Sequence, residues 1–182
     1  NTTADEFREK MKELVLEHRI EAVILDLRGN VGGSLYAAVD IADFFLRKGK
    51  VIVAIKGRSL RQNFIARKDN QYENIPAAVL INRGSASASE IVASALQDHK
   101  KAVIVGTRSW GKGLVQTVHK LALSSSLALT TAKYYTPENK CIQRDYRKLD
   151  DYLSVLNYGD YDKDSTMEGG VIPDFHVKGG TY

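Results

Sequence analysis

Short apolar runs of strand length alternate with amphipathic helical patterns through residue 105, and this alternation most restricts what the chain can fold into. Ala22–Leu27 (AVILDL), Lys50–Lys56, Ala77–Asn82 (AAVLIN) and Ala102–Val105 are rich in branched residues, and each reads as a strand. Between them, Leu35–Arg47 sets Leu35, Val39, Ala42 and Leu46 on one helical face, and residues 87–98 (SASEIVASALQD) read as a further helix. Upstream, Phe7, Met11, Leu14 and Val15 recur at helical spacing over residues 4–18. Thr3 serves there as N-cap and Glu6 completes a capping box. Strands alternating with helices pack as a layered α/β domain. Because the strands are unbroken apolar runs, both faces of their sheet are expected to be covered.

The remainder is more polar. Residues 57–75 read as a hairpin or surface excursion. Val115–Leu123 and Leu127–Tyr134 bracket Ser124-Ser125-Ser126 as a β-hairpin. Residues 137–167, with Tyr146, Tyr152, Tyr158 and Tyr161, read as an irregular surface insertion, and Gly169–Asp174 closes the domain. At 182 residues the chain makes one domain, 1–182. It opens on Asn1 in a charged amphipathic helix, which reads as a piece cut from a longer protein.

Composition removes several function classes. Hydrophobic residues at 43% and charged residues at 26% belong to a globular chain, not a disordered one. No apolar run approaches the roughly 18 residues of a membrane span. The net charge of +4 is scattered, with no basic stripe interleaved with aromatics, so no nucleic-acid partner is expected. The single cysteine, Cys141, cannot form an intrachain disulfide or build a cysteine-rich zinc site. His18, His99, His119 and His176 have no metal-ligand spacing, so no metal is expected.

Several motifs compete for the chemistry. Gly106–Gly113 nearly fits a phosphate loop, but Gly113 replaces the hydroxyl that would hold Mg²⁺, and a strand pattern follows where a helix is needed. Ser109-Trp110-Gly111-Lys112 matches S-x-x-K without its partner motifs. No G-x-S-x-G elbow exists to support a Ser-His-Asp triad. Two segments remain. Gly84-Ser85-Ala86-Ser87-Ala88-Ser89-Glu90 joins a buried strand to a helix. A serine there lies among free N–H groups that favour developing negative charge, although Ser before a helix also serves as an ordinary cap. Gly111-Lys112-Gly113 holds one lysine between glycines, flanked by Trp110 and Leu114-Val115. Burial there would favour the neutral amine, which can take a proton from a serine hydroxyl without a histidine.

Together these segments, with Leu25–Gly33, Val79–Gln97, Leu114-Val115-Gln116, Tyr134–Pro137 and Gly170–Asp174, resemble the catalytic domain of the C-terminal processing peptidases, or tail-specific proteases. The resemblance implies a crotonase-like (ClpP-like) core of stacked β-β-α units. It implies Ser87 as nucleophile, Lys112 (25 residues on) as general base, and Gln116 as the residue orienting that lysine. The oxyanion hole would use the N–H of Ala88 and of Gly32 or Gly33, with Glu90 and Asp98 in support. The chain departs from the family pattern at Val31, where proline is usual, and in lacking the family's PDZ domain, whose place would be before Asn1. The implied activity is serine endopeptidase cleavage of polypeptide tails, without metal or cofactor, in the periplasm or cell envelope. The extended substrate would dock by strand addition. A non-catalytic ligand-binding or scaffold domain of the same fold is the alternative.

Overall fold

A computed structural model describes residues 2–67, 72, 74–122, 124–145 and 169–177. Among the described residues, three helices, α1 (Thr2–Leu16), α2 (Leu35–Asp43) and α3 (Ala88–Asp98), pack with two four-stranded sheets. The first sheet is parallel, in the order β1 (Val23–Asp26), β4 (Ala77–Ile81), β5 (Ala102–Gly106), β8 (Phe175–His176). The second is antiparallel, in the order β3 (Arg61–Ile65), β2 (Val51–Gly57), β7 (Ser126–Tyr135), β6 (Leu114–Lys120). The expected α/β layering therefore contains a parallel sheet and a separate antiparallel one.

Side-chain branching and alternation explain the layers. In the parallel sheet, Val79, Ile81 and Ile104 are buried in the same core cluster as Ala42 of α2 and Ile91, Ala95 and Leu96 of α3. The expectation that both sheet faces are covered does not hold among the described residues. Ile24 is 70% exposed and Val103 43%, and the register sets both in one row with Ala78. An apolar run thus identifies the strand but does not report what lies on its second face.

Element ends differ for local reasons. α1 already includes Thr3, so Thr3 does not act as its N-cap. The helix stops at Leu16 because Arg19 takes φ 49 and the Ile20 N–H turns back to the Leu14 carbonyl. α2 stops at Asp43, where the Phe44 and Phe45 N–H groups bond three residues back and tighten the turn. That turn drives Phe44, Phe45 and Leu46 into the core. The polar stretch 57–75 does form a hairpin arm, β3, but it also adds Phe64, Ala66 and Tyr72 to the core. Tyr72 stacks on Phe44 at 4.5 Å. Of the expected surface insertion, residues 137–145 leave β7 through a bridge from Tyr135 to Cys141 and bury Ile142 and Arg144. Residues 146–168 lie outside the described residues.

Candidate active site

Three loops leave the carboxyl ends of the adjacent parallel strands β1, β4 and β5, where open α/β sheets place their ligands. Side chains stitch the first two together. The Asn82 carboxamide oxygen accepts the Gly29 and Gly84 N–H groups, each at 2.9 Å. The Asn30 carbonyl accepts the Ala86 N–H and the Ser89 hydroxyl at 3.0 Å, and its side-chain oxygen accepts the Gly32 N–H at 2.9 Å. Gly32 sits so close to the second loop that a Cβ would lie 2.5 Å from the Ala86 carbonyl oxygen and 2.7 Å from the Ala88 nitrogen. Its φ of +89 also lies where side chains are strained. Only glycine fits.

The three serines of the second loop differ sharply. Ser85 is fully buried, donating to the Leu27 carbonyl at 2.7 Å and accepting the Asn82 N–H at 3.0 Å. Ser89 is buried and committed to Asn30. Ser87, half-buried between them, takes φ 57 and ψ −114, which a non-glycine residue rarely adopts. Such strain costs about 1–3 kcal/mol and concentrates where function needs it.

Glu90 binds the second loop to the third. It is 1% exposed on the first turn of α3, and its carboxylate accepts four donors. These are the N–H of Ser87 (2.8 Å), the hydroxyl of Ser109 (2.5 Å), and the N–H groups of Gly111 (2.6 Å) and Lys112 (2.8 Å). Burial raises its pKa above the usual carboxylate value, while the four donors favour the anion. One carboxylate thus fixes the backbone of Ser87 and Lys112 together. Ser109, whose hydroxyl also accepts the Val171 N–H at 2.7 Å, is a structural partner of Glu90, so the S-x-x-K match has a packing explanation.

The remaining expected residues fall in different places. Gly33 follows Gly32, and the N–H groups of Gly33 and Ala88 have no partner among the described residues. A cavity of about 220 Å³ opens beside them, walled by Leu27, Ile41 and Val92. The Lys112 side chain is exposed, so the burial expected from its apolar neighbours is absent; only the flanking Gly111 and Gly113 are buried. Gln116 is exposed on β6, at a register irregularity against β7, and no hydrogen bond joins it to Lys112 among the described residues. Asp98 lies at the other end of α3, about 16 Å along the helix from Ser87. There it accepts the Glu138 N–H at 2.8 Å, a loop contact away from Ser87. The bonding roles of Asn30 and Asn82 emerge only in three dimensions, and Ser109, noted in the sequence only as the serine of the S-x-x-K match, proves to be a partner of Glu90.

Residues 1–153 match the family model described as peptidase family S41. The chain belongs to peptidase family S41. Among curated relatives, a carboxy-terminal-processing protease of Bartonella bacilliformis is 50% identical over 129 residues, covering 69% of this chain and 29% of the relative. The chloroplastic carboxyl-terminal-processing peptidase 2 of Arabidopsis thaliana is 40% identical over 133 residues, covering 72% of this chain and 26% of that protein. A solved photosystem II D1 C-terminal processing protease superposes with a TM-score of 0.79 at 31% identity, covering 98% of this chain and 40% of its own. The chain therefore spans under a third of these curated relatives' length. Its mixed parallel and antiparallel architecture is that of the S41 proteases.

Proposed function

We propose that this chain is the catalytic core of a serine endopeptidase that cleaves polypeptides near their carboxyl ends through a Ser87–Lys112 dyad. The observation that carries the reading is the buried Glu90 carboxylate, which holds the backbones of Ser87 and Lys112 at once. The strained Ser87 backbone supports it, since a binding or scaffold domain has no need of that strain.

In this reading the Ser87 hydroxyl attacks the scissile carbonyl as the neutral Lys112 amine takes its proton. The oxyanion accepts hydrogen bonds from the Ala88 and Gly33 N–H groups. Gly33 is preferred to Gly32 because the Gly32 N–H is already given to Asn30. Lys112 then returns the proton to the departing amine as the C–N bond breaks. Water, losing a proton to Lys112, hydrolyses the ester and restores Ser87. Because Lys112 is exposed here, the bound peptide must supply the desolvation that favours its neutral form. Gln116 orients the lysine once the peptide has closed over it. Glu90 acts as a positioning residue; Asp98 is kept as a support of the loop at Glu138.

The substrate is an extended polypeptide tail added as a strand, and the outer edge of β6, beginning two residues after Lys112 and unpaired among the described residues, is suited to it. The whole is read as a crotonase-like single domain, 1–182, working in a periplasmic or envelope setting, as C-terminal processing enzymes would. The test is hydrolysis of a fluorogenic tail peptide by serine variants. Ser87→Ala is expected to lower kcat/KM at least about a thousandfold with the circular dichroism unchanged. Ser85→Ala and Ser89→Ala should instead lower Tm, through lost buried hydrogen bonds. Full hydrolysis by Ser87→Ala would overturn the assignment.

A further inference from the structure

The two glycines that flank Lys112 pack against one short segment, residues 142–144, which follows β7. A Cβ on Gly111 would lie 3.0 Å from the Arg144 Cβ, and one on Gly113 would lie 2.5 Å from the Gln143 nitrogen. Hydrogen bonds run across the same contact. The Arg144 N–H donates to the Gly111 carbonyl at 2.9 Å, and the Gly113 N–H donates to the Gln143 Oε1 at 2.9 Å. The Gln143 Nε2 donates to the Arg144 carbonyl at 2.9 Å. Both ends of this carboxamide are therefore engaged, and its partners set its orientation. The segment is itself anchored. Ile142 is buried, its N–H donates to the Tyr134 carbonyl at 3.0 Å, and its carbonyl accepts the Gly170 N–H at 2.9 Å.

Lys112 thus has a fixed point on each side. On one side Glu90 accepts the Gly111 and Lys112 N–H groups. On the other, Gln143 accepts the Gly113 N–H, and the Gly113 carbonyl accepts the Tyr134 N–H at 2.8 Å. The lysine side chain itself is exposed. A flexible four-carbon stem with no packing of its own is aimed by the backbone that carries it. We propose that Gln143 is a positioning residue for Lys112: its carboxamide fixes the peptide unit joining Lys112 to Gly113, and through it the approach of the amine to the Ser87 hydroxyl. This rests on the Ser87–Lys112 reading. Gly113 is buried, so without Gln143 its N–H loses an acceptor that water does not replace, and the peptide unit turns to find another.

The experiment separates turnover from binding and from folding. The intact chain and its variants hydrolyse a fluorogenic tail peptide, with kcat and KM measured across pH and Tm measured by circular dichroism. Gln143→Met keeps the length and removes the acceptor; Gln143→Asn keeps the amide and is too short to reach. Each is expected to lower kcat about tenfold or more while KM stays within about twofold, because a misplaced base affects the chemical step and not the docking of the peptide. Gln143→Glu keeps an oxygen for the Gly113 N–H and should return kcat to within about threefold of the parent. That comparison is made at each variant's own pH maximum, since a nearby carboxylate favours the charged lysine. A purely structural role would lower Tm without this split. Folded Gln143→Met and Gln143→Asn variants with parental kcat, or a Gln143→Glu variant no better than they are, would overturn the proposal. Lys112→Ala tests the underlying reading separately: parental kcat there would remove the dyad and this role with it, whereas its inactivity beside a parental Gln143→Met would remove the role of Gln143 alone.

Discussion

Glu90 carries more of this site than any other single side chain. Its four donors come from the nucleophile loop and the lysine loop, so substituting it disturbs both partners at once. Glutamine keeps the shape, but its amide NH₂ would face N–H groups and leave two of them unpaired, which we expect to lower kcat at least about tenfold. The pH dependence has a definite sign. A carboxyl whose folded pKa is raised binds its proton more tightly folded than unfolded. Its contribution to stability is therefore largest below the ordinary value of 4.5 and is lost as pH rises through the higher folded value. Melting of the parent against pH should show this decline, and Glu90→Gln should remove it; an identical slope in both would refute the assignment. Lys112 makes a separate prediction. Arginine keeps the charge and cannot deprotonate, so a folded Lys112→Arg should be as inactive as Lys112→Ala across the accessible pH range. A Lys112→Arg variant with near parental kcat/KM would remove lysine as the base.

At the scale of elements, sequence patterns located the strands and helices well and their surroundings poorly. The alternation through residue 105 placed β1, α2, β2, β4, α3 and β5 within a few residues, because each follows a local period of branched or apolar side chains. What covers a strand is not local. Ile24 and Val103 belong to apolar runs yet face outward, and the polar stretch 57–75 hides Phe64 and Tyr72 in the core. The site divides the same way. The family resemblance carried by the G-S-A-S-A-S-E and G-K-G motifs implied Ser87 and Lys112, but the network through Asn30, Asn82 and Ser109 joins residues 19 to 59 positions apart. The burial expected for Lys112 failed because neighbours in sequence need not cover a side chain. The meeting of the β1–α2 loop with the β4–α3 loop supplies the prediction at this scale. Gly32→Ala forces a Cβ to within 2.5 Å of the Ala86 carbonyl oxygen and strains φ at +89. We expect a loss of about 1–3 kcal/mol in denaturant unfolding together with a large fall in kcat, since the oxyanion donors sit on those loops. Parental stability and rate in Gly32→Ala would show the approach to be looser than described.

For the whole molecule, the two sheets and three helices of the described residues bring the loops after β1, β4 and β5 to one end, and the family match runs over residues 1–153, which include all three loops. No helix among the described residues is long and apolar enough to cross a membrane. Everything proposed about catalysis reduces to one serine made nucleophilic by one lysine. The most direct measurement is covalent labelling of the intact chain with a fluorophosphonate probe, followed by mass mapping of the modified peptide. The account predicts a single adduct on Ser87, absent from Ser85, Ser89 and Ser109, and lost in a folded Lys112→Arg variant. An adduct on another serine, or Ser87 labelled equally fast without Lys112, would contradict it.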